Sequence, residues 1–453
     1  MSVASDDVHE TLARHILVDG FDFVIDLDRS AGSRFHDSRT GRDILDFFSC
    51  FASMPVGWNH PDVIARQTEF GRVAINNVTN SDMYTAEMAE AVETIARIAK
   101  PSYLPNLFFV AGGALGVENC LKAAMDWKSH QRQARGIDPA VPFDWQSDQA
   151  ASSKLTIGHF NEAFHGRTGY TMSLTNTDPL KTERFAKFDW PRFDNPTIRF
   201  PLDEVENARL DRLEQDVLAS IRDHSRAHPD SMAAIIIEPI QGEGGDNHFR
   251  PSFLRGLRET CDEVEAMLVV DEVQTGVGLT GRMWAHEHSG IEPDLLAFGK
   301  KMQVCGMMAS KRLQEFDDNV FDTSGRINST FGGNLIDMVR GATYLEIIER
   351  EGLIVNAEVI GRQLENGLNE LASAHESVSN VRAKGLFQAF TLPSREQRDD
   401  FRRRALEAGV LTLTSGLDSV RLRPPLNLTG DEVDEALGVF GDVIRAQERT
   451  VVV

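Results

Sequence analysis

The chain has few cysteines, and their arrangement does not suggest a crosslinked or metal-bound protein. Its four cysteines, Cys50, Cys120, Cys261 and Cys305, are far apart in 453 residues, and no two of them form a CxxC pair. Disulfide frameworks and zinc sites normally show close, patterned cysteines. We therefore expect no disulfide framework, no metal site and a reducing, cytoplasmic location.

An excess of basic residues and a long apolar run are also missing. The formal net charge is −22, which argues against binding to nucleic acid or to an anionic membrane through charge. No apolar run is long enough to span a bilayer, and the N-terminal MSVASDDVHE lacks the apolar core of a signal peptide. We expect a soluble protein that binds neither nucleic acid nor membrane.

The chain does contain short apolar runs, each followed at once by a small or charged residue. Four of these runs are NLFFV at 106–110, AAIII at 233–237, MLVV at 267–270 and LLAF at 295–298. Such runs are typical of strands buried on both faces of a parallel sheet. Helical patterns alternate with them, so the sequence predicts an α/β fold. Because ligands bind at the carboxyl ends of such strands, the residues after the runs are candidates for a site.

Changes of pattern along the chain predict its domain organisation. Residues 1–55 form an N-terminal segment that contributes to a small domain, 56–334 form a large domain with the sheet, and 335–453 form the C-terminal small domain. Two polar, aperiodic stretches, 131–153 and 176–205, predict long surface loops.

Three strand ends carry residues that have both a chemical and an ordinary interpretation. Gly112-Gly113 opens a helix whose free N–H groups would donate hydrogen bonds to a phosphate, or it simply forms a tight turn. Asp271 would keep a ring nitrogen protonated, or it caps the next turn. Lys300 would be an amine nucleophile if its surroundings lower its pKa, but Lys301 is an immediate rival, and spacing does not choose between them.

Arginines supply the candidate anion-binding groups. In FHGRTGY, Arg167 would bind a substrate carboxylate while Phe164 stacks on a ring, and a surface salt bridge is the alternative. We assign no role to the intervening His165. Arg421 and Arg423 share one face of a predicted strand, so we expect one to bind an anion and the other to be solvated. Together with the strand ends, these residues are the parts of a pyridoxal-phosphate (PLP) site.

Longer motifs follow one another along the chain: EPIQGEGG at 238–245, DEVQTGVGLTGRMW at 271–284, PDLLAFGKK at 293–301, STFGGN at 329–334 and VRLRPPL at 420–426. In this order they resemble the class III (ω-type) aminotransferases. The resemblance implies PLP fold type I (aspartate-aminotransferase-like), with a mostly parallel sheet in the large domain and a smaller α+β domain. It implies pyridoxal 5′-phosphate as the cofactor. Within the family, the segments 187–196, 299–306 and 326–334 resemble the lysine ε-aminotransferases.

The resemblance also implies a role for each matching residue. Lys300 would hold the cofactor as an imine, and Asp271 would pair with its ring nitrogen. The other cofactor contacts would be Phe164 stacked on the ring, Gln274 near the ring hydroxyl, the backbone of Gly113 and Ala114 at the phosphate, and Thr330 at the phosphate of the partner subunit. The substrate contacts would be Arg167, Glu243, Asn328 and Arg421. The role of Thr330 implies a homodimer with shared active sites.

The sequence departs from the family in two places. The phosphate turn commonly reads Ser-Gly-Ala-Glu, but here it reads Gly112-Gly113-Ala114-Leu115. A hydroxyl contact is therefore missing, and backbone donors must suffice. The GHxHP turn of the family is here GWNHP at 57–61, which leaves its substrate contacts open.

The implied reaction is a ping-pong transamination between L-lysine and 2-oxoglutarate that gives 2-aminoadipate 6-semialdehyde (allysine) and L-glutamate. Lys300 would be the general base and acid that moves the proton from the ε-carbon of lysine. An ion pair between Glu243 and Arg421 that forms for lysine and separates for 2-oxoglutarate would admit both substrates. One alternative is the same chemistry on ornithine, N-acetylornithine, 4-aminobutyrate or 2,4-diaminobutyrate. Others are a PLP aminomutase or racemase, which needs no keto acid, and a non-catalytic PLP-fold protein, against which Lys300, Asp271 and Gln274 argue.

Overall fold

A computed structural model describes residues 3–137 and 155–451. Its strands are β1 (Ile25–Ala31), β2 (Arg34–Asp37), β3 (Arg42–Asp46), β4 (Asn106–Val110), β5 (Thr156–Phe160), β6 (Arg192–Phe193), β7 (Met232–Ile237), β8 (Ile240–Gln241), β9 (Asn247–His248), β10 (Met267–Asp271), β11 (Leu295–Phe298), β12 (Cys305–Ala309), β13 (Ser379–Lys384), β14 (Phe387–Thr391), β15 (Val410–Leu411), β16 (Leu413–Ser415) and β17 (Ser419–Leu422).

Its right-handed α-helices are α1 (Val8–Ala13), α2 (Pro61–Ala65), α3 (Gln67–Ala74), α4 (Ala86–Ile98), α5 (Gly113–Ala134), α6 (Gly169–Leu174), α7 (Glu204–Ala227), α8 (Pro251–Glu263), α9 (Leu335–Arg350), α10 (Leu353–Ala374), α11 (Arg395–Glu407) and α12 (Gly430–Val451). The four residues Ser49–Ala52 instead form a left-handed turn, with φ between 39° and 62°. Among the described helices, none is both long enough and apolar enough to cross a membrane.

A seven-stranded sheet with the order β4-β12-β11-β10-β7-β5-β6 forms the centre of the fold. β12 runs antiparallel to its two neighbours, and the other pairs are parallel. The four apolar runs singled out in the sequence are β4, β7, β10 and β11. The predicted α/β fold with a mostly parallel sheet is therefore confirmed.

Both faces of this sheet are covered. Every residue of β7 and β10 is buried. Helix α5 packs on one face and buries Val117, Cys120, Leu121 and Ala124 completely. These four residues have the i, i+3, i+4, i+7 spacing of a helical core face, so the residues after the phosphate turn form the predicted helix.

Strand β12 is absent from the sequence predictions. Its sequence, CGMMA, contains Gly306, and glycine is depleted in strands. A Cβ atom at Gly306 would lie 2.1 Å from the backbone oxygen of Phe108 on the neighbouring strand. The glycine is therefore required for the close pairing of β12 with β4.

The described residues also form two four-stranded sheets. In the first, with the order β1-β2-β3-β15, the N-terminal strand β3 pairs in parallel with the C-terminal strand β15. The second, with the order β13-β14-β17-β16, is antiparallel. The N-terminal strands thus join the C-terminal part of the chain, while the domain limits 1–55, 56–334 and 335–453 stay a prediction.

The two predicted loops have different outcomes. The prediction of a loop at 131–153 is wrong at its first residues, because helix α5 continues to Ala134 and buries the side chain of Arg132. The rest of that prediction, 138–153, lies outside the described residues. The second loop contains only a short 3-10 turn and the two-residue strand β6 before α7 begins at Glu204, so this prediction is confirmed.

Candidate active site

The carboxyl ends of β10 and β11 bring Asp271 and Lys300 to one edge of the central sheet. Lys300 begins a 3-10 turn and has φ 48°, a left-handed conformation that is uncommon outside glycine. Its Nζ atom makes no hydrogen bond within the described parts of the chain. Burial lowers the pKa of Lys300 to about 8, and the positive charges of Arg421 and Arg423 act in the same direction. Such an amine is partly neutral near pH 8 and is available as a nucleophile.

Lys301 occupies a different environment. It is buried, and its Nζ atom donates hydrogen bonds to the backbone oxygens of Gln274 at 2.6 Å and Ala52 at 3.3 Å. Burial lowers its pKa well below the ordinary value. Because its amine holds two backbone segments together, the structure favours Lys300 as the nucleophile, a choice that spacing leaves open.

Asp271 is buried at the end of β10 and is held by two donors. Its Oδ2 atom lies 2.9 Å from Nδ1 of His165, and its Oδ1 atom accepts the N–H of Val273 at 3.1 Å. His165 is only 2% exposed, so this contact is shielded from water. No role follows for His165 from the sequence, because the two residues are 106 positions apart. With its proton on Nδ1, His165 would orient the carboxylate of Asp271.

Glu238 is a second buried carboxyl group near Asp271, and it is also absent from the predicted site. Its Oε1 atom accepts the N–H of Phe164 at 2.9 Å, and its Oε2 atom accepts the N–H of Gly242 at 3.0 Å. Burial raises the pKa of Glu238 to about 7, and the charge of Asp271 adds to this effect. The sequence feature that could have identified Glu238 as a site residue is its position directly after the apolar run of β7.

The turn before α5 is shaped for close approach of another group. Gly112 has φ 112°, and a Cβ atom on Gly113 would lie 2.8 Å from a side-chain carbon of Val273. No side chain caps this 22-residue helix, so the N–H groups of Gly113 and Ala114 remain available to an anion.

Three features of this edge fit pyridoxal phosphate. They are an amine at Lys300 and a helix N-terminus at Gly113, neither with a side-chain partner among the described residues, and a buried, oriented carboxylate at Asp271. The first can bond to an aldehyde, the second can bind a phosphate, and the third can pair with a protonated ring nitrogen.

Arg423 is completely buried, and its guanidinium group is hydrogen-bonded to four residues. Its guanidinium donates to Asp246, to Gln274 Oε1 at 3.1 Å, and to the backbone oxygens of Leu422 at 2.8 Å and Gln388 at 3.2 Å. The expectation that one of the two arginines is solvated is therefore wrong, because the end of β17 faces the buried loop that contains Asp246. Arg423 orients the side chain of Gln274.

Arg421 contacts Glu243, as predicted, but a third residue is involved. Arg421 is 3% exposed and donates from Nη2 to Glu243 Oε2 at 2.9 Å, while its buried Nε atom has no partner among the described residues. The other oxygen of Glu243 accepts from Lys181 Nζ at 2.5 Å. Burial acts to raise the pKa of Glu243, but Arg421 and Lys181 outweigh it and lower that pKa. Glu243 is therefore a carboxylate shared by two cations.

In the described parts of the chain, three predicted site residues form no hydrogen bond or ion pair with this centre. Arg167 is exposed and forms no hydrogen bond or ion pair within residues 3–137 and 155–451. Asn328 and Thr330 are exposed on the loop before α9, and Asn328 Oδ1 accepts the N–H of Ser329 at 2.6 Å. Their roles toward the substrate and the partner subunit stay predictions.

Comparison with known proteins gives consistent matches over almost the whole chain. Residues 18–444 match the family described as aminotransferase class-III. A relative named L-lysine-epsilon aminotransferase, from Mycobacterium tuberculosis, is 48% identical over 436 residues, which are 95% of this chain and 94% of the relative. A protein of the same name from Streptomyces clavuligerus is 43% identical over 450 residues, 98% of this chain and 95% of the relative. A solved structure described as a lysine aminotransferase from M. tuberculosis in the internal aldimine form has a TM-score of 0.92 at 47% identity, covering 98% of this chain and 100% of that one.

Proposed function

The chain belongs to the class III aminotransferase family, and from this premise we propose that it transfers the ε-amino group of L-lysine to 2-oxoglutarate. It is a PLP-dependent aminotransferase of fold type I. Relatives that are 43–48% identical over nearly the whole chain are named L-lysine-epsilon aminotransferases, which supports lysine as the amino donor. The proposed products are 2-aminoadipate 6-semialdehyde and L-glutamate.

The ion pair between Glu243 and Arg421 is the observation that carries this proposal. Lysine must present an apolar stem near the reacting centre, whereas 2-oxoglutarate must present a carboxylate there. A buried arginine without a partner is costly, so Glu243 covers Arg421 while the methylenes of lysine are bound. When Glu243 withdraws, Arg421 binds the α-carboxylate of the keto acid.

Pyridoxal phosphate, when bound, supplies an electron sink that makes a proton on the reacting carbon acidic. The residues of the chain do the remaining work. Asp271, oriented by His165, supplies the negative charge that keeps a ring nitrogen protonated. Lys300 Nζ, whose pKa is about 8, would accept the proton from the ε-carbon of lysine and donate it to the carbon on the other side of the transferred nitrogen. Arg167 binds the distant carboxylate of lysine.

A comparison of amino donors tests the proposed substrate. With 2-oxoglutarate as acceptor, the purified enzyme should have a higher kcat/KM for L-lysine than for ornithine, N-acetylornithine, 4-aminobutyrate or 2,4-diaminobutyrate. Glutamate formation and trapping of the semialdehyde measure the two products. A higher value for another donor would show that lysine is not the substrate, and turnover without any keto acid would indicate an aminomutase or racemase.

Substitutions at the ion pair should separate the two half-reactions. Glu243→Ala should slow the lysine half-reaction more, because it leaves Arg421 uncovered against methylenes. Arg421→Ala should slow the 2-oxoglutarate half-reaction more, since an arginine–carboxylate contact in a dry site contributes about 2–5 kcal/mol. Single-turnover absorbance changes of the cofactor measure each half separately. Equal slowing of both halves by both variants would mean that the pair is only a structural salt bridge.

We also propose that the enzyme acts as a homodimer with shared active sites. The support is that Thr330 is exposed and is followed by Phe331, which is exposed together with the apolar side chains of Met83 and Tyr84. Asn80 and Gly333 are hydrogen-bonded and join the two segments that carry these apolar residues. Such a surface is typical of an interface between subunits.

Mixed dimers test the shared site. Thr330→Ala should weaken retention of PLP, and Lys300→Ala should be inactive. A heterodimer of the two chains should regain activity, because one of its two sites is free of both changes. Differently tagged chains allow the heterodimer to be isolated and assayed. A fully active monomer in sedimentation would contradict the proposal.

A further inference from the structure

We propose that Lys181 is the second anchor of Glu243 and that it sets how readily Arg421 is released to the amino acceptor. The inference rests on the proposed transamination with a dicarboxylic keto acid. It assigns a specificity-determining role to a residue in the loop at 176–205, and that residue, Lys181, lies outside the segment 187–196 and the other motifs.

The two carboxylate oxygens of Glu243 bind two different cations, which come from separate parts of the chain. Lys181, at the end of the 3-10 turn Pro179–Lys181, binds Oε1 at 2.5 Å. Arg421, on β17, binds Oε2 at 2.9 Å. Because each oxygen has its own cation, the carboxylate can leave Arg421 without losing its other ion pair.

The backbone around Glu243 is held by its neighbours, so a movement that releases Arg421 falls to the side chain of Glu243. Its backbone oxygen accepts the N–H of Gly416 at 3.1 Å, and a Cβ atom on the next residue, Gly244, would lie 1.9 Å from the backbone oxygen of Glu162. The side chain of Glu243 is 27% exposed, that of Lys181 is 15% exposed, and that of Arg421 is 3% exposed. The more exposed space next to the Glu243 carboxylate is therefore on the Lys181 side, whereas the side chain of Arg421 is enclosed by protein.

Lys181 is held in place independently of Glu243. Its Nζ atom also donates to Thr177 Oγ1 at 3.3 Å, and it lies 5.5 Å from the ring centroid of Phe164. A cation fixed there stabilises the carboxylate in the withdrawn position. Without Lys181, withdrawal of Glu243 would leave a partly buried carboxylate without a partner, and the pair would stay closed.

Binding of glutarate to the holoenzyme tests this role without turnover, because glutarate has the two carboxylates of the acceptor but no keto group. Lys181→Met should weaken glutarate binding about three- to fivefold, the size expected for one partly exposed ion pair. Lys181→Arg should restore most of the affinity. Lys187→Met is the matched control, since Lys187 is exposed on the same segment and has no contact with Glu243, and it should bind like the wild type. Titration calorimetry measures the dissociation constants.

A second comparison separates anchoring from direct contact. In a Glu243→Ala background, Lys181→Met should change the affinity for glutarate about twofold or less, because no carboxylate remains to be anchored. An equal loss in both backgrounds would overturn the proposal and assign Lys181 to direct binding of the ligand. Wild-type affinity in Lys181→Met would also overturn it.

The proposed function and this inference fail in different measurements. If the wild type prefers another amino donor but binds glutarate, lysine as donor is wrong, and the affinity of Lys181→Met still decides the role of Lys181. If the wild type neither binds glutarate nor accepts 2-oxoglutarate, the proposed acceptor is wrong, and the role of Lys181 falls with it.

Discussion

Lys300→Ala should abolish turnover and prevent covalent attachment of PLP, since of the two lysines after β11 only Lys300 has an Nζ atom without a hydrogen bond in the described part of the chain. The pKa of Lys300 is lowered to about 8, so a substantial fraction of this amine is neutral and nucleophilic at mildly basic pH. Borohydride reduction of the wild-type enzyme, followed by peptide mass mapping, should locate the cofactor on the peptide that contains Lys300. The variant should yield no modified peptide.

Lys301→Met is the control for this experiment. The variant should keep the cofactor on Lys300 and keep its activity per folded molecule. It should lose about 1–3 kcal/mol of stability, because the backbone oxygens of Gln274 and Ala52 lose a buried donor. Thermal unfolding would show this loss as a lower Tm. Cofactor trapped on Lys301 would contradict both the prediction and the geometric choice between the two lysines.

Local patterns predict the strand ends of the site well. The runs before Asp271 and Lys300 are apolar because both faces of the central sheet are covered, so their composition reports burial directly. The same reasoning places the phosphate turn at the start of α5. A residue that directly follows a buried strand of a parallel sheet is therefore predictable from the sequence.

Contacts between distant segments are not predictable in this way. His165 and Asp271 are 106 positions apart, and Lys181 and Glu243 are 62 positions apart. The pairing of β3 with β15 joins residues that are more than 360 positions apart. No local pattern encodes such pairs, because each side chain is also common in a solvated loop or at a helix end. The buried state of Arg423 is missed for the same reason, since its partner Asp246 lies on a loop far away in sequence.

Asp271→Asn should reduce kcat by several orders of magnitude, because a neutral amide does not hold a ring nitrogen protonated. The substitution isolates the charge from the structural role of the residue. An asparagine Oδ1 can still accept the N–H of Val273, so the turn after β10 should remain capped. The melting temperature of the apoenzyme should therefore change far less than kcat. A near-normal rate would mean that Asp271 serves only as this cap.

His165→Asn provides the graded comparison. His165 touches the carboxylate of Asp271 at 2.9 Å and, in this chain, acts through it as a positioning residue. We expect a smaller loss of kcat than for Asp271→Asn, with KM for lysine nearly unchanged, since the charge remains and only its orientation is lost.

In holoenzyme that contains ¹⁵N-labelled cofactor, the ¹⁵N chemical shift of the ring nitrogen reports its protonation directly. It should indicate a protonated ring in the wild type and in His165→Asn, and a neutral ring in Asp271→Asn. A protonated ring in Asp271→Asn would show that another group supplies the charge, and Glu238, a buried carboxyl group that feels the charge of Asp271 and whose pKa burial raises to about 7, is a candidate.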